Sequence, residues 1–308
     1  MPTPIKDTKL GWIGTGRMGY EMAARLAKGG CDIALWNRTR AKAEPLAKYG
    51  AKVVDTLPEL AARDIVFCMV STWEDVKEVM QKLLAGSKKP KMVIECSSIS
   101  LEGSAELRRM LEEKGIQYLA APVSGNAKVI KAGKLTFVVS GPKSAYDAAR
   151  PYLDMMGVGS SYVGEGELSR IVKICHNVLL GVVTQSLCEI TILAQKAGVP
   201  RHAFLDFLNK SVMGSMFSRY KTPALVNLDF HVTFTPQLLR KDMDLGLDAG
   251  KRFEVPMPIA ALTRDLIQQM IGHGMTEEDF STLILMQAKA SGIDLKPENV
   301  PVGDGLSS

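Results

Sequence analysis

Three glycines constrain this chain more than any other feature. Gly14, Gly16 and Gly19 stand in the spacing G-x-G-x-x-G, after the apolar run 10–13 and before Met22, Ala23, Leu26 and Ala27, which recur at helical spacing. Each glycine has its own task in a strand-turn-helix unit that holds a dinucleotide. The first permits the tight turn, the second leaves room for the pyrophosphate, and the third lets the helix pack closely on the sheet. The helix N-terminus then presents unpaired N–H groups to the phosphates. A second apolar run, 32–37, ends about twenty residues further on, which completes the context the motif needs. The loop Gly14, Thr15, Gly16, Arg17, Met18 and Gly19 is therefore read as a cofactor-binding turn.

The residue closing the second strand selects between the two nicotinamide dinucleotides. An acid there accepts hydrogen bonds from a ribose 2′-hydroxyl, whereas an arginine accommodates a 2′-phosphate. This chain has Asn37-Arg38-Thr39-Arg40 and no acid. A guanidinium pairs with phosphate through two hydrogen bonds, so NADP(H) is the expected cofactor, with NAD(H) an open alternative. The competing account of Arg38 and Arg40 is a pair of solvated charges at a helix start.

At 308 residues the chain can bury two substantial cores. Its net charge of +5 is scattered, with no basic block, and gives no reason to expect nucleic acid. Five cysteines form no C-x-x-C pair and read as buried thiols of a reducing compartment. Four histidines lack metal-ligand spacing, so no metal site is expected. No stretch of 18 consecutive uncharged apolar residues occurs, and the start of the chain is polar and proline-bearing. A cytoplasmic protein without a membrane segment is expected, with a tail over 296–308 that is frayed or laid over a surface.

The first half alternates short apolar runs (9–14, 32–37, 51–54, 65–70, 92–96, 117–121, 135–140 and 160–163) with helical patterns (18–29, 40–49, 73–85, 101–114 and 144–156). Such alternation predicts an α/β fold with a mostly parallel sheet covered on both faces. The last two runs follow tighter turns and are expected to add antiparallel edges. Gly50, Gly115 and Gly157 follow helical patterns, where a left-handed residue ends a helix. From Glu167 to Lys196 the pattern is continuously helical, which at 1.5 Å per residue makes a rod of about 45 Å. Only helical patterns follow it (201–210, 236–250, 256–273 and 276–291). The expected organisation is a dinucleotide-binding domain over 1–165 and an all-helical domain over 166–308, of which 166–196 is the linking helix.

Three clusters carry candidate chemistry. Lys173 and Asn177 lie at i and i+4 among apolar neighbours, and thus share a helix face; a lysine snorkelling to solvent is the alternative. Pro122-Val123-Ser124-Gly125-Asn126 ends a strand, and its hydroxyl and backbone N–H groups suit a small carboxylate; alone, it is also simply a turn. Lys241, Asp244 and Asp248 form a charged helical stripe, which is otherwise a solvated face.

Taken together and in order, these segments resemble the β-hydroxyacid dehydrogenase family over residues 9–292. The resemblance rests on Gly14-x-Gly16-x-Met18-Gly19, Asn37-Arg38-Thr39, Ala121-Pro122-Val123-Ser124-Gly125, Gly133-x-Leu135-Thr136, Lys173-x-x-x-Asn177, and Lys241-Asp242 with Leu245 and Asp248. It implies a Rossmann domain, a long linking helix, an all-α domain, and a homodimer or homotetramer. It further implies that Lys173 is the catalytic lysine with Asn177 beside it, and that Ser124 and Gly125 hold a substrate carboxylate. Ser98 matches a position near the nicotinamide ribose, Val70 and Ser71 line the ribose side, Lys241 closes over cofactor and substrate, and Asp248 is the acid that follows. The substrate class so implied is a small carboxylate-bearing aldehyde or hydroxy acid. Two positions depart from the pattern. Asn126 replaces a common glycine and is expected to narrow the pocket or add a polar contact, and His176 replaces a common asparagine within reach of Lys173. Imine reduction and a non-catalytic cofactor-binding module are the alternatives, and the presence of Lys173 weighs against both. Met213, Phe217 and Phe234 are candidate pocket residues that a core would equally claim.

Overall fold

Strands rich in apolar residues at every position demand cover on both faces, and the first half of the chain meets that demand with a doubly wound sheet. The computed structural model describes residues 7–306. It divides into two units, with the division between Lys173 and Ile174. In the first, β1 (Lys9–Ile13), β2 (Asp32–Trp36), β3 (Lys52–Val53), β4 (Ile65–Cys68), β5 (Met92–Glu95) and β6 (Gln117–Ala120) form one sheet. Its order is β3-β2-β1-β4-β5-β6 with parallel pairing throughout. Every residue of β4 and β5 is buried. Alternate side chains feed two cores: Leu10, Trp12, Ile33, Leu35, Phe67 and Ile94 pack on one face, and Ile13, Ala34, Val66, Cys68 and Val93 on the other.

The helices of this unit are α1 (Arg17–Lys28), the single turn α2 (Leu57–Leu60), α3 (Trp73–Leu83), α4 (Leu101–Glu112), the short α5 (Ala127–Lys131) and α6 (Lys143–Met156). Thr72 and Asp75 make a reciprocal capping box at the start of α3, and Ser100 caps α4. The pattern at 40–49 is not an α-helix but two 3₁₀ segments, Arg40–Lys42 and Glu44–Tyr49, because Pro45 removes a backbone donor in the middle of the run. The run at 135–140 joins the edge of the main sheet through an antiparallel bridge between Ser140 and Ala120, but neither it nor 160–163 adds a strand there. With β7 (Val123–Ser124), they form a separate three-stranded sheet in which β8 (Thr136–Val139) is antiparallel to β7 and parallel to β9 (Gly159–Tyr162). Gly50 and Gly115 are left-handed as expected, but Gly157 is extended. Its missing side chain serves packing instead, since a Cβ there would lie 1.9 Å from the Leu135 carbonyl oxygen.

The helix α7 (Leu168–Lys196) begins in the first unit, and the second unit is helical thereafter among the described residues. It contains α8 (Arg201–Lys210), α9 (Met216–Asn227), α10 (Pro236–Arg252), α11 (Pro258–Gly272) and α12 (Leu283–Ala290). No apolar periodicity announces α9, because its buried positions include Ser218, Lys221 and Thr222 and its interior holds Pro223. The pattern at 276–291 resolves into a 3₁₀ turn at Phe280–Thr282 followed by α12. By length and composition α7 could cross a membrane, and half of that stretch is buried within the protein. The tail lies over the second unit: Asn227 donates to the Val300 carbonyl at 2.8 Å, and Glu298 accepts from the backbone of Arg201 and His202. Ser307 and Ser308 lie outside the described residues.

Candidate active site

Parallel strands that diverge in opposite directions from one point leave a crevice at their carboxyl ends. Here the strand order turns at β1 and β4, and a cleft of about 340 Å³ opens there. Gly14, Gly16, Arg17, Met18 and Gly19 line it from the turn after β1, Trp36 to Thr39 from the end of β2, and Met69 to Ser71 from the end of β4. Gly14 has φ +93°, and a Cβ there would lie 2.2 Å from the Met69 carbonyl oxygen. A Cβ at Gly19 would lie 2.1 Å from the Gly14 oxygen, so this glycine lets α1 sit directly on the turn. A Cβ at Gly16 would meet no protein atom within 4 Å; it would project into open space. No side chain caps α1, and the buried Thr15 hydroxyl lacks a hydrogen-bond partner among the described residues. Open space, an uncapped helix start and an unsatisfied donor fit the diphosphate of a dinucleotide.

Asn37 braces this loop: its Oδ1 accepts from Thr15 N at 2.8 Å, while its Nδ2 donates to the Thr39 carbonyl at 2.8 Å. Arg38 is mostly exposed at the rim, with its guanidinium 3.3 Å from Asp75. Arg40 turns away to Asp55 and Glu44 and is absent from the cleft wall. Lys42, Asp75, Glu78, Val79 and Lys82 complete the wall. Sequence reading missed all five. The i, i+3, i+4, i+7 spacing of 75, 78, 79 and 82 marks one face of α3, but nothing local says that this face meets β2.

Ser98, Ser124 and Lys173 lie in the same unit outside that wall. Ser98 follows Ser97, whose hydroxyl accepts from Val70 N at 2.9 Å and so ties the end of β5 to the cleft lining. Ser124 ends β7, and Gly125 has φ +137° in contact range of Val129 and Leu135. The Asn126 side chain caps α5, accepting from Val129 N at 3.1 Å. Lys173 is half-buried on α7, one turn before Asn177.

In the second unit, Gly181 and Gly246 bring α7 and α10 together; a Cβ at Gly246 would lie 2.1 Å from Val178. This close approach sets the buried Asn177 against the equally buried Asp242, to which its Nδ2 donates at 2.6 Å. The Asn177 Oδ1 lies 2.9 Å from His176 Nδ1, so His176 acts on the asparagine's orientation. Lys241 lies 3.5 Å from the other Asp242 oxygen. Asp242 is the group that sequence reading passed over; its i+1 place beside Lys241 concealed its opposite, buried orientation. Asp248 is exposed beside Lys251, and Asp244 pairs with Arg264, so the charged stripe does not assemble around Lys241. Phe217 stacks on the buried Phe280 and Phe234 meets it edge-on, both half-buried, and Met213 is exposed.

Cys31, Cys68, Cys96 and Cys188 are buried, and Cys175 is exposed, contrary to expectation. Burial pushes the thiols of Cys68, Cys96 and Cys188 well above their ordinary value, which makes them inert packing groups.

The sequence profile of the NAD-binding domain of 6-phosphogluconate dehydrogenase matches residues 9–164. That of the NAD-binding domain of NADP-dependent 3-hydroxyisobutyrate dehydrogenase matches 167–286. The chain is 30% identical to glyoxylate/succinic semialdehyde reductase 2 of Arabidopsis thaliana, over 91% of its own length and 79% of the relative's. It is also 30% identical to 2-(hydroxymethyl)glutarate dehydrogenase of Eubacterium barkeri, over 94% and 98%. Among solved structures, 3-hydroxyisobutyrate dehydrogenase of Mycobacterium tuberculosis with L-serine superposes with a TM-score of 0.79 at 28% identity, covering 91% of this chain and 98% of that one. The imine reductase of Myxococcus stipitatus is more distant, at 0.58 and 22% identity over 89% and 98%, and shares the fold. The chain belongs to the β-hydroxyacid dehydrogenase family of NAD(P)-dependent oxidoreductases.

Proposed function

We propose that the protein is an NADP(H)-preferring dehydrogenase that interconverts a small carboxylate-bearing aldehyde and the corresponding hydroxy acid. The observation that carries this reading is the open space beyond Gly16 at the start of α1, in a cleft whose ribose end presents Arg38, Thr39 and Lys42 and has no acid at the carboxyl end of β2. When bound, the nicotinamide supplies or takes the hydride. Lys173 hydrogen-bonds to the carbonyl oxygen as charge grows there and supplies its proton; in oxidation it takes the proton back. Asn177, fixed by Asp242, orients the lysine or the substrate hydroxyl. Ser124, Gly125 and Lys241 hold the carboxylate end, which agrees with the acidic substrates in the names of both curated relatives.

Two further expectations accompany the reading. Leu168, Val172, Leu179, Ile190 and Leu193 make an exposed apolar stripe on α7 at near-heptad spacing, which supports a homo-oligomer. The buried free thiols support a reducing, cytoplasmic setting. The test is a spectrophotometric screen of NADPH and NADH oxidation with glyoxylate, succinic semialdehyde, methylmalonate semialdehyde, tartronate semialdehyde and a cyclic imine. Turnover of one of the aldehydes that Lys173→Ala lowers by about 10²–10⁴-fold, with NADPH binding intact, is the expected result. Turnover of the imine alone, or undiminished turnover in the variant, overturns it.

A further inference from the structure

Arg170 is 1% exposed and Glu95 fully buried, and the two form an ion pair within the first unit. Every arm of the guanidinium is engaged. Nη1 donates to the Ser97 carbonyl, Nη2 to the Glu95 carboxylate and to the Tyr118 hydroxyl at 3.1 Å, and Nε to Ser104 Oγ at 3.3 Å. The other Glu95 oxygen accepts from Ser97 N at 2.7 Å. A buried ion pair is a poor source of stability, since desolvation cancels much of the attraction and apolar replacements often serve as well. What a guanidinium offers that an apolar side chain cannot is direction, through a rigid planar fork.

That direction links two parts of the proposed site. Ser97 accepts from Val70 N, and Val70 lines the cofactor cleft. On the helix side, Ser169 Oγ donates to the Ala120 carbonyl at 2.9 Å, so the first turn of α7 is fixed to the ends of both β5 and β6. Lys173 follows Arg170 by three residues, about 4.5 Å along the helix and on the same side of it. We propose that Arg170 is the positioning residue for Lys173: its fork fixes the rotation and height of α7 against the β5 edge, so that the lysine is held in register with the cleft wall. This rests on the role proposed above for Lys173.

The test uses the full-length enzyme in four forms: wild type, Arg170→Met with Glu95→Gln, Lys173→Ala, and all three substitutions together. Removing both charges avoids stranding one buried ion. NADPH affinity is read by fluorescence titration, kcat and KM with the best aldehyde of the screen, and stability by thermal unfolding. The paired substitution is expected to lower kcat by about 10²-fold, the usual consequence of a misplacement near 1 Å, while NADPH affinity and KM stay within about threefold. In the Lys173→Ala background the same pair is expected to change the residual rate by less than about twofold, because the group it positions is gone. A kcat near wild type, or an equal loss in both backgrounds, overturns the proposal. If the paired variant does not fold, Arg170→Lys keeps the charge and loses the fork; a wild-type kcat there overturns the proposal too. Undiminished turnover in Lys173→Ala removes both this inference and the proposed function, whereas an inactive Lys173→Ala beside fully active Arg170 variants removes this inference alone.

Discussion

The side-chain amide of Asn177 on α7 donates to the carboxylate of Asp242 on α10 at 2.6 Å, with both residues buried. Two glycines, Gly181 and Gly246, permit the helix contact behind that bond. Asp242 thereby decides which way Asn177 presents its oxygen, and Lys241 neighbours the same carboxylate. Asp242→Ala is expected to lower kcat by about ten- to a hundredfold through lost orientation. Asp242→Asn keeps an acceptor oxygen and should recover part of that loss. Steady-state kinetics with thermal unfolding alongside decide the matter: full kcat in Asp242→Ala removes the orienting role.

Gly16 and Gly19 should respond oppositely to the same added methyl group. At Gly16 the new Cβ meets no protein atom within 4 Å, so Gly16→Ala is expected to keep its melting temperature and lose cofactor affinity. At Gly19 the Cβ would lie 2.1 Å from the Gly14 oxygen, and overpacking of this kind costs about 1–3 kcal/mol of stability. Differential scanning calorimetry paired with NADPH titration separates the two. A stability loss at Gly16 with unchanged binding would mean that no cofactor approaches there.

Arg38 stands at the cleft rim, mostly exposed and 3.3 Å from Asp75. Charge-assisted hydrogen bonds are worth about 1.5–3 kcal/mol, so Arg38→Ala should weaken NADPH by roughly ten- to a hundredfold and leave NADH nearly unchanged. Equal weakening of the two dinucleotides would show that the arginine does not read a 2′-phosphate.

Asp279 is an acid-sensitive point of the helical unit. Burial works against its charge, but Lys221 and the donors of Ser281 and Thr233 outweigh it and hold the carboxyl below its ordinary value. A depressed carboxylate contributes stability above its unfolded pKa of about 3.9 and loses it as the pH falls through the folded value. Removing one partner of a buried pair costs about 3–5 kcal/mol, so Asp279→Asn should be markedly less stable at neutral pH. The difference from wild type should shrink below about pH 4, where the unfolded chain takes up the proton before the native carboxyl does. Unfolding measured at neutral and acid pH checks this; a gap that is independent of pH would assign the loss to packing alone.

Legibility followed the range of the forces. The glycine turn, the alternation of the first half and the continuous helix from 168 were readable because each is a local pattern: a required backbone angle, short continuous apolar runs between helical ones, a period of 3.6. The α9 helix escaped because polar residues fill its buried face, among them Lys221, whose partner Asp279 stands 58 residues away. Lys42 and Lys82 escaped for a similar reason, since a helix face becomes a cleft wall only when the sheet sets it there.

By itself the sequence determined the architecture and the type of ligand, because glycine geometry and apolar periodicity act within a few residues and tolerate few alternatives. Only the tertiary structure decided which charges act together. It turned Asn126 into a helix cap, sent Asp248 to solvent, set Asp242 under Asn177 and locked Arg170 to Glu95. Hydrogen bonds and ion pairs depend on ångström-scale positions of groups distant in the chain, and those positions exist only after the elements have packed.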